Sequence, residues 1–127
     1  MIGTAPPQTI FGHTFQPVTC AVISVLEQID SRFLDMIDVI WELKDKPPEQ
    51  IAEEITKRLK LSSSELTANA FVFVTPIDDL EKFLEDGGKE KLIKEAMATI
   101  GRMPPLEFGE LHRKVMTHYI MSFDQSP

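Results

Sequence analysis

Four side chains in this 127-residue chain could support nucleophilic or acid–base chemistry: the single cysteine, Cys20, and the three histidines, His13, His112 and His118. A thiolate beside an imidazole is the minimal nucleophile and base, so a Cys20-dependent hydrolase or transferase is the first chemistry to weigh. No Cys–His family signature surrounds Cys20, and it opens an apolar stretch, "CAVISVLEQI", where a small buried residue is expected. His112 and His118 stand six residues apart, which on a helix separates them by about 120° and rules out an i, i+4 metal pair. We expect both at surface or boundary positions.

Two further clusters carry chemical residue types. Asp78, Asp79, Glu81 and Glu85 lack the oxygen spacing and central glycine of a calcium loop, and they suit the positive end of a helix instead. "GKEK" at 88–91 lacks the glycine-to-Gly-Lys-Ser/Thr spacing and the preceding strand of a phosphate loop. The expectation is therefore a protein with no catalytic residue, no metal and no cofactor.

Charge narrows the partners. Twenty acids against thirteen bases give a net charge of −7, which opposes contact with phosphate backbones, so nucleic acid is not an expected partner. Uncharged windows are broken before the ~18 apolar residues a membrane span requires. "MIGTAPPQTIFGH" lacks a basic start followed by an apolar run, and one cysteine excludes an intrachain disulfide. A cytoplasmic setting is the expectation.

The elements that must position these residues read as helices. Residues 1–8, with Pro6 and Pro7, form an irregular arm, 9–123 a single helical domain and 124–127 a polar tail. "TIFGHTFQP" alternates around Gly12-His13 as two very short strands in a hairpin. Thr19 caps a helix carrying Val22, Ile23, Leu26 and Ile29 that ends near Asp30-Ser31. "RFLDMIDVIWELKDK" repeats apolar residues at threes and fours through Phe33, Met36, Ile37, Ile40 and Trp41 until Pro47-Pro48. Pro48 opens the next helix, with Ile51, Ile55 and Leu59 on one line.

Ser62 and Glu65 form a capping box in front of "LTANAFVFV". Its run Phe71, Val72, Phe73, Val74 is the ambiguous point: the box favours a buried central helix, whereas β-branched and aromatic content favours a strand. Thr75-Pro76 then caps and opens an acidic helix that Gly87-Gly88 ends. "KEKLIKEAMATIG" supplies another, closed by Gly101 as a C-terminal cap, and Pro104-Pro105 start the last, about 105–122. The fold class is all-α, an irregular bundle of five to six helices with a short N-terminal hairpin. "MIDVIWELKDKPPEQI" and "NAFVFVTPIDDLEKFL" share the order apolar helix, proline break, acidic helix start, although their identity is too low to call a repeat.

The segments "IFGHTFQPVT" (10–19), "AFVFVTPIDDLEKFLEDGGKEKLIKEAM" (70–97) and "MPPLEFGELHRKV" (103–115) give the chain an order of features that resembles the tail assembly chaperone-like proteins of long-tailed bacteriophages. That group opens with a glycine-containing short hairpin, steps through a proline into a helix and continues all-helical; residues 44–66 depart most from the pattern. The resemblance implies a non-enzymatic, self-associating protein of the host cytoplasm that binds the tape measure protein, keeps its apolar helices soluble and helps recruit tail tube subunits. It supplies no functional residue to carry over. A minor structural or connector component of the virion, or a helical adaptor that binds a host protein, fits the same composition.

The apolar coverage of the 33–43 and 105–122 helices exceeds what one small core needs. That surplus, with the run at 71–74, marks Trp41, Phe71, Phe73, Phe108, Met116, Tyr119 and Ile120 as residues for a protein partner. The C-terminal third also holds Met97, Met103, Met116 and Met121, whose flexible side chains suit either core packing or an adaptable surface.

Overall fold

Phe11 and Gly12 both take positive φ, 51° and 80°, the backbone twist that lets a two-residue turn join antiparallel strands without splaying them. They link β1 (Thr9–Ile10) to β2 (His13–Thr14), with Thr9 opposite Thr14 and Ile10 opposite His13. The turn thus sits one residue earlier than Gly12-His13. The computed structural model describes residues 9–123; the expected arm at 1–8 and tail at 124–127 lie outside the described residues. Beyond the hairpin the described chain is all-α: α1 (Cys20–Gln28), α2 (Met36–Glu42), α3 (Pro48–Leu59), α4 (Ser63–Val74), α5 (Ile77–Thr99) and α6 (Pro105–Met121).

Local signals start and stop most of these helices. The Thr19 hydroxyl accepts from the Val22 amide at 3.3 Å and caps α1. Asp30, at φ 55°, ends it: the Asp30 and Ser31 amides turn back to the carbonyls of Glu27 and Leu26. The helix expected from Phe33 begins instead as a 3-10 turn, Arg32–Asp35, because the Ser31 hydroxyl caps the Phe33 amide at 3.1 Å; α2 follows directly. Pro48 occupies the first turn of α3, where a missing amide hydrogen costs no helical bond.

Residues 71–74 are helical. The capping box is complete, with Ser62 and Glu65 each accepting the other's backbone amide, and α4 runs unbroken to Val74. Seven consecutive residues, Thr67–Phe73, are buried. A helix buried on every side must be central, and α4 packs against α1, α5 and α6. The β-branched and aromatic side chains that suggested a strand fill space on all faces of that central helix.

Two expectations are corrected, the caps at Thr75 and Gly101. Thr75 does not cap α5: it precedes a proline, lies extended at φ −112° and ψ 130°, and ends α4. Pro76, with no side-chain bond to give, stands at the cap position of α5. The break expected at Gly87-Gly88 is present: Gly88, at φ 68° and ψ −153°, is non-helical, a conformation that glycine alone adopts readily, and the span α5 is two helices met across that kink. Gly101 is no left-handed cap but lies in a 3-10 turn, Ile100–Arg102, where the Met97 thioether approaches to 3.4 Å of the space a side chain would fill.

One continuous core runs from Phe15 to Ile120. Its centre is aromatic: Phe33, Phe73 and Tyr119 lie 5.3–5.8 Å apart between ring centroids, and the Tyr119 hydroxyl donates to the Phe33 carbonyl at 3.1 Å. Burial pushes the Tyr119 phenol well above its usual range, so it remains a neutral donor. The segment between hairpin and α1 seals this centre. Gln16 donates from its backbone amide to the Phe73 carbonyl at 3.0 Å, and from its side-chain amide to the carbonyls of Val72, at 2.7 Å, and Thr75. Three carbonyls at the end of α4 are thereby satisfied from outside the helix. On the other side, His118 meets the Gln16 carbonyl at 2.8 Å and packs on Phe15, ring to ring 5.3 Å.

Candidate functional site

Cys20 and His118 exchange the environments expected for them. Cys20 is exposed, because it is the first residue of α1 and the buried face belongs to Val22, Val25 and Leu26. His118 is buried, held between Phe15 and Phe73, and its Nε2 is committed to the Gln16 carbonyl. His112 is partly buried and stacks on Phe108 at 6.4 Å. Asp78, Asp79, Glu81 and Glu85 are all exposed along the start of α5, the solvated arrangement expected of them. Among the described residues no group of three or more His, Cys, Asp or Glu side chains is placed to hold a metal, and no helix is long and apolar enough to cross a membrane.

The seven candidate partner residues divide sharply. Phe71, Phe73, Met116 and Tyr119 belong to the buried core and are unavailable to a partner while the domain is folded. Their apolar surplus is consumed by the contacts of α4 and α6 within the chain. Phe108 is half-buried. Trp41 is 56% exposed, and Ile120, buried on most of its surface, shows its remaining edge in the same depression as Trp41.

That depression is an open groove of about 490 Å³ between the end of α2, the start of α3 and the end of α6. Ile40, Ile51, Ile120, Met121 and Phe123 form its floor and far wall, and Trp41 stands on its lip. Each helix contributes for a local reason. α2 ends at Glu42 and the chain turns through Pro47-Pro48 into α3, which leaves a notch where two helix ends meet. α6 crosses beside α3 and closes the notch on one side. Arg58 of α3 pins the corner by ion pairs to Glu42 at 2.6 Å and Glu54 at 3.1 Å.

The rim of the groove is basic within an acidic protein. Lys44 and Lys46 line it with one acid, Asp45, between them, and the Lys44 ammonium lies 5.5 Å from the centroid of the Trp41 ring. An apolar floor with an aromatic lip and a cationic edge is what an amphipathic helix or apolar knob bearing acid needs. The sequence reading found Trp41 and Ile120 and missed Lys44, Lys46, Met121 and Phe123 as lining residues. Lys44 and Lys46 had a signal, two lysines beside the one tryptophan, whereas Phe123 follows the last helix with no pattern to mark it.

A second, smaller cleft of about 230 Å³ lies between α1, α4 and α5. Ion pairs stand at its rim, Lys89 to Asp30 at 3.0 Å and Arg32 to Glu65 at 2.8 Å, and Ile29, Ala68 and Ile93 line it beside them. The Arg32 hydrogen bond holds the Glu65 carboxyl down to about 2, aided by Ser62, so the capping box keeps its charge. The α2–α3–α6 groove is the larger of the two and carries the exposed Trp41, and it is the candidate binding site. No protein-family model, curated protein or solved structure matches this chain.

Proposed function

We propose that the chain is a non-enzymatic protein-binding module of the phage tail assembly chaperone kind, whose α2–α3–α6 groove receives an apolar helix of the tape measure protein. In this reading it keeps that helix soluble in the host cytoplasm, helps bring tail tube subunits to it, and works as a homo-oligomer. The observation that carries the reading is Trp41, 56% exposed on the lip of an apolar groove. An exposed tryptophan beside such a floor is the composition of a binding hot spot. The net charge of −7 keeps a protein with an open apolar groove from aggregating.

Co-expression with a tape measure protein, followed by capture on a tagged copy of this chain, tests the proposal. The wild type should recover soluble tape measure protein, and Trp41→Glu should lose it with no change in helical content. Failure of the wild type to solubilise that partner, or undiminished capture by Trp41→Glu, overturns the reading. Detection of the chain in purified virions by mass spectrometry would favour a minor structural or connector component, and capture of a host protein alone would favour an adaptor.

A further inference from the structure

We infer that the cleft between α1, α4 and α5 is a second binding site, one that takes a small carboxylic acid with a compact apolar body. The carboxylate meets the Asn69 side-chain amide and Lys89, and the body packs against Ile29, Ala68 and Ile93. The site is separate from the α2–α3–α6 groove and does not rest on the function proposed for that groove.

Asn69 carries the inference. It lies in the middle of α4, is 1% exposed, and stands between Ala68 and Ala70 on a helix whose other buried side chains from there on are apolar. An amide in that setting destabilises the fold unless its atoms are bonded. The Asn69 oxygen accepts from the Ser31 hydroxyl at 2.7 Å, whereas its nitrogen, Nδ2, has no partner among the described residues. Counting hydrogens fixes which atom is which. Ser31 Oγ already accepts from the Phe33 amide at 3.1 Å, and its single hydrogen goes to the Asn69 oxygen. Turning the amide over would leave that hydrogen and that oxygen both without the bond they now share. The atom left over is therefore a donor, and a donor calls for a ligand oxygen. Ser31 and Asn69 both line the cleft, so the amide lies in its wall.

The remaining lining selects the rest of the ligand. Lys89 supplies a positive charge beside the amide donor, and together they favour a carboxylate over a neutral carbonyl. Ile29, Ala68 and Ile93 offer an apolar wall, and a cleft of about 230 Å³ limits the body to a short branched chain or a single ring. Admission requires the rim to part, because Asn69 is covered. The Lys89–Asp30 pair spans the cleft from the end of α1 to α5, and both groups are exposed, so the bridge is weak and Lys89 is free to exchange Asp30 for a ligand. Lys89 follows Gly88 directly, so the kink in α5 sets the angle at which Lys89 and Ile93 meet the cleft.

Titration of the full chain followed by the NMR signal of the Asn69 side-chain amide provides the test, with isovalerate and benzoate as probes. Both should move that signal saturably, with Kd of about 1 mM or tighter. Isovaleramide, which lacks the charge, acetate, which lacks the body, and isobutylamine, which lacks the acceptor, should each bind at least about tenfold more weakly. Asn69→Leu should reduce isovalerate affinity by about tenfold or more, read through the Ile93 methyl signals. Lys89→Met, at an exposed position that leaves the core intact, should reduce it by about fivefold, and Asp30→Asn, which releases Lys89, should raise it by up to about fivefold. An Asn69 signal that neither acid moves, the result of an amide that holds only water, overturns the inference. So does equal binding of isovalerate and isovaleramide, or an isovalerate affinity unchanged in both Lys89→Met and Asp30→Asn.

Discussion

Two segments of this chain are built alike and end differently. In 36–51 and 69–84 an apolar helix runs into a proline and an acidic helix begins after it. At the first break the aromatic residue, Trp41, stands on the surface beside an open groove; at the second, Phe71 and Phe73 are enclosed. Neither the apolar content nor the proline accounts for the difference. The end of α4 is covered by Phe15 and Gln16, which satisfy its carbonyls, whereas among the described residues the last carbonyls of α2 receive no side chain from elsewhere. One break is sealed into the fold, and among the described residues the other stays open to solvent.

The largest effect that would break this comparison comes from truncating one aromatic at each break. Phe73→Ala removes a ring in contact with Phe33 and Tyr119 and should cost about 3–5 kcal/mol. Trp41→Ala loses an exposed ring and its Lys44 contact and should cost below about 1 kcal/mol. Urea denaturation reads both, and equal costs would mean that Trp41 is as structural as Phe73.

The seal itself comes next. Gln16→Ala keeps the backbone bond to Phe73 but strips the side-chain donor from the Val72 and Thr75 carbonyls, and should cost about 1–3 kcal/mol. Hydrogen exchange should quicken at the end of α4 before it does at the start, where the capping box is untouched. Uniform quickening along α4 would show that Gln16 does not act locally.

What could be read in advance follows from the reach of each interaction. Thr19, Ser62 with Glu65, Pro48 and Pro105 act within one turn of chain, and each starts the helix expected of it. The burial of Phe71–Phe73 follows from a run with no polar face. Gln16 joins residues 56 to 59 positions away and His118 meets it across 102, so nothing near either residue announces the contact. The same limit applies to the groove: Trp41 stands out as the only tryptophan, but its exposure depends on where α6 ends relative to α2 and α3. Apolar periodicity identifies faces that need covering, and it cannot say that α6 covers Phe73 and leaves Trp41 open.

A smaller effect distinguishes the acidic helices that follow the two breaks. α3 is regular, while α5 bends at Gly88 in a conformation closed to other residues. No atom lies within 4 Å of a side chain added there, so Gly88→Ala tests backbone strain without a clash. We expect a loss of about 1–2 kcal/mol. A neutral result would mean that the bend adjusts freely and contributes nothing to placing the second half of α5.

The smallest effect at neutral pH is carried by His118, which ties the seal to proton concentration. The Gln16 carbonyl only accepts, so Nε2 carries the hydrogen and Nδ1, buried with no partner among the described residues, is bare in the neutral ring. A second proton would charge a ring packed between Phe15 and Phe73. Burial therefore lowers the His118 pKa from 6.5, with the Gln16 bond opposing in part, and burial lowers His112 as well. The unfolded chain binds protons that the folded chain refuses, so stability is full above about pH 6.5 and is lost as the pH falls through the folded values. His118→Gln should flatten, without abolishing, the fall in urea midpoint between about pH 7 and pH 5, since His112 still titrates. An undiminished slope would place the whole proton linkage elsewhere and leave the seal of α4 insensitive to pH.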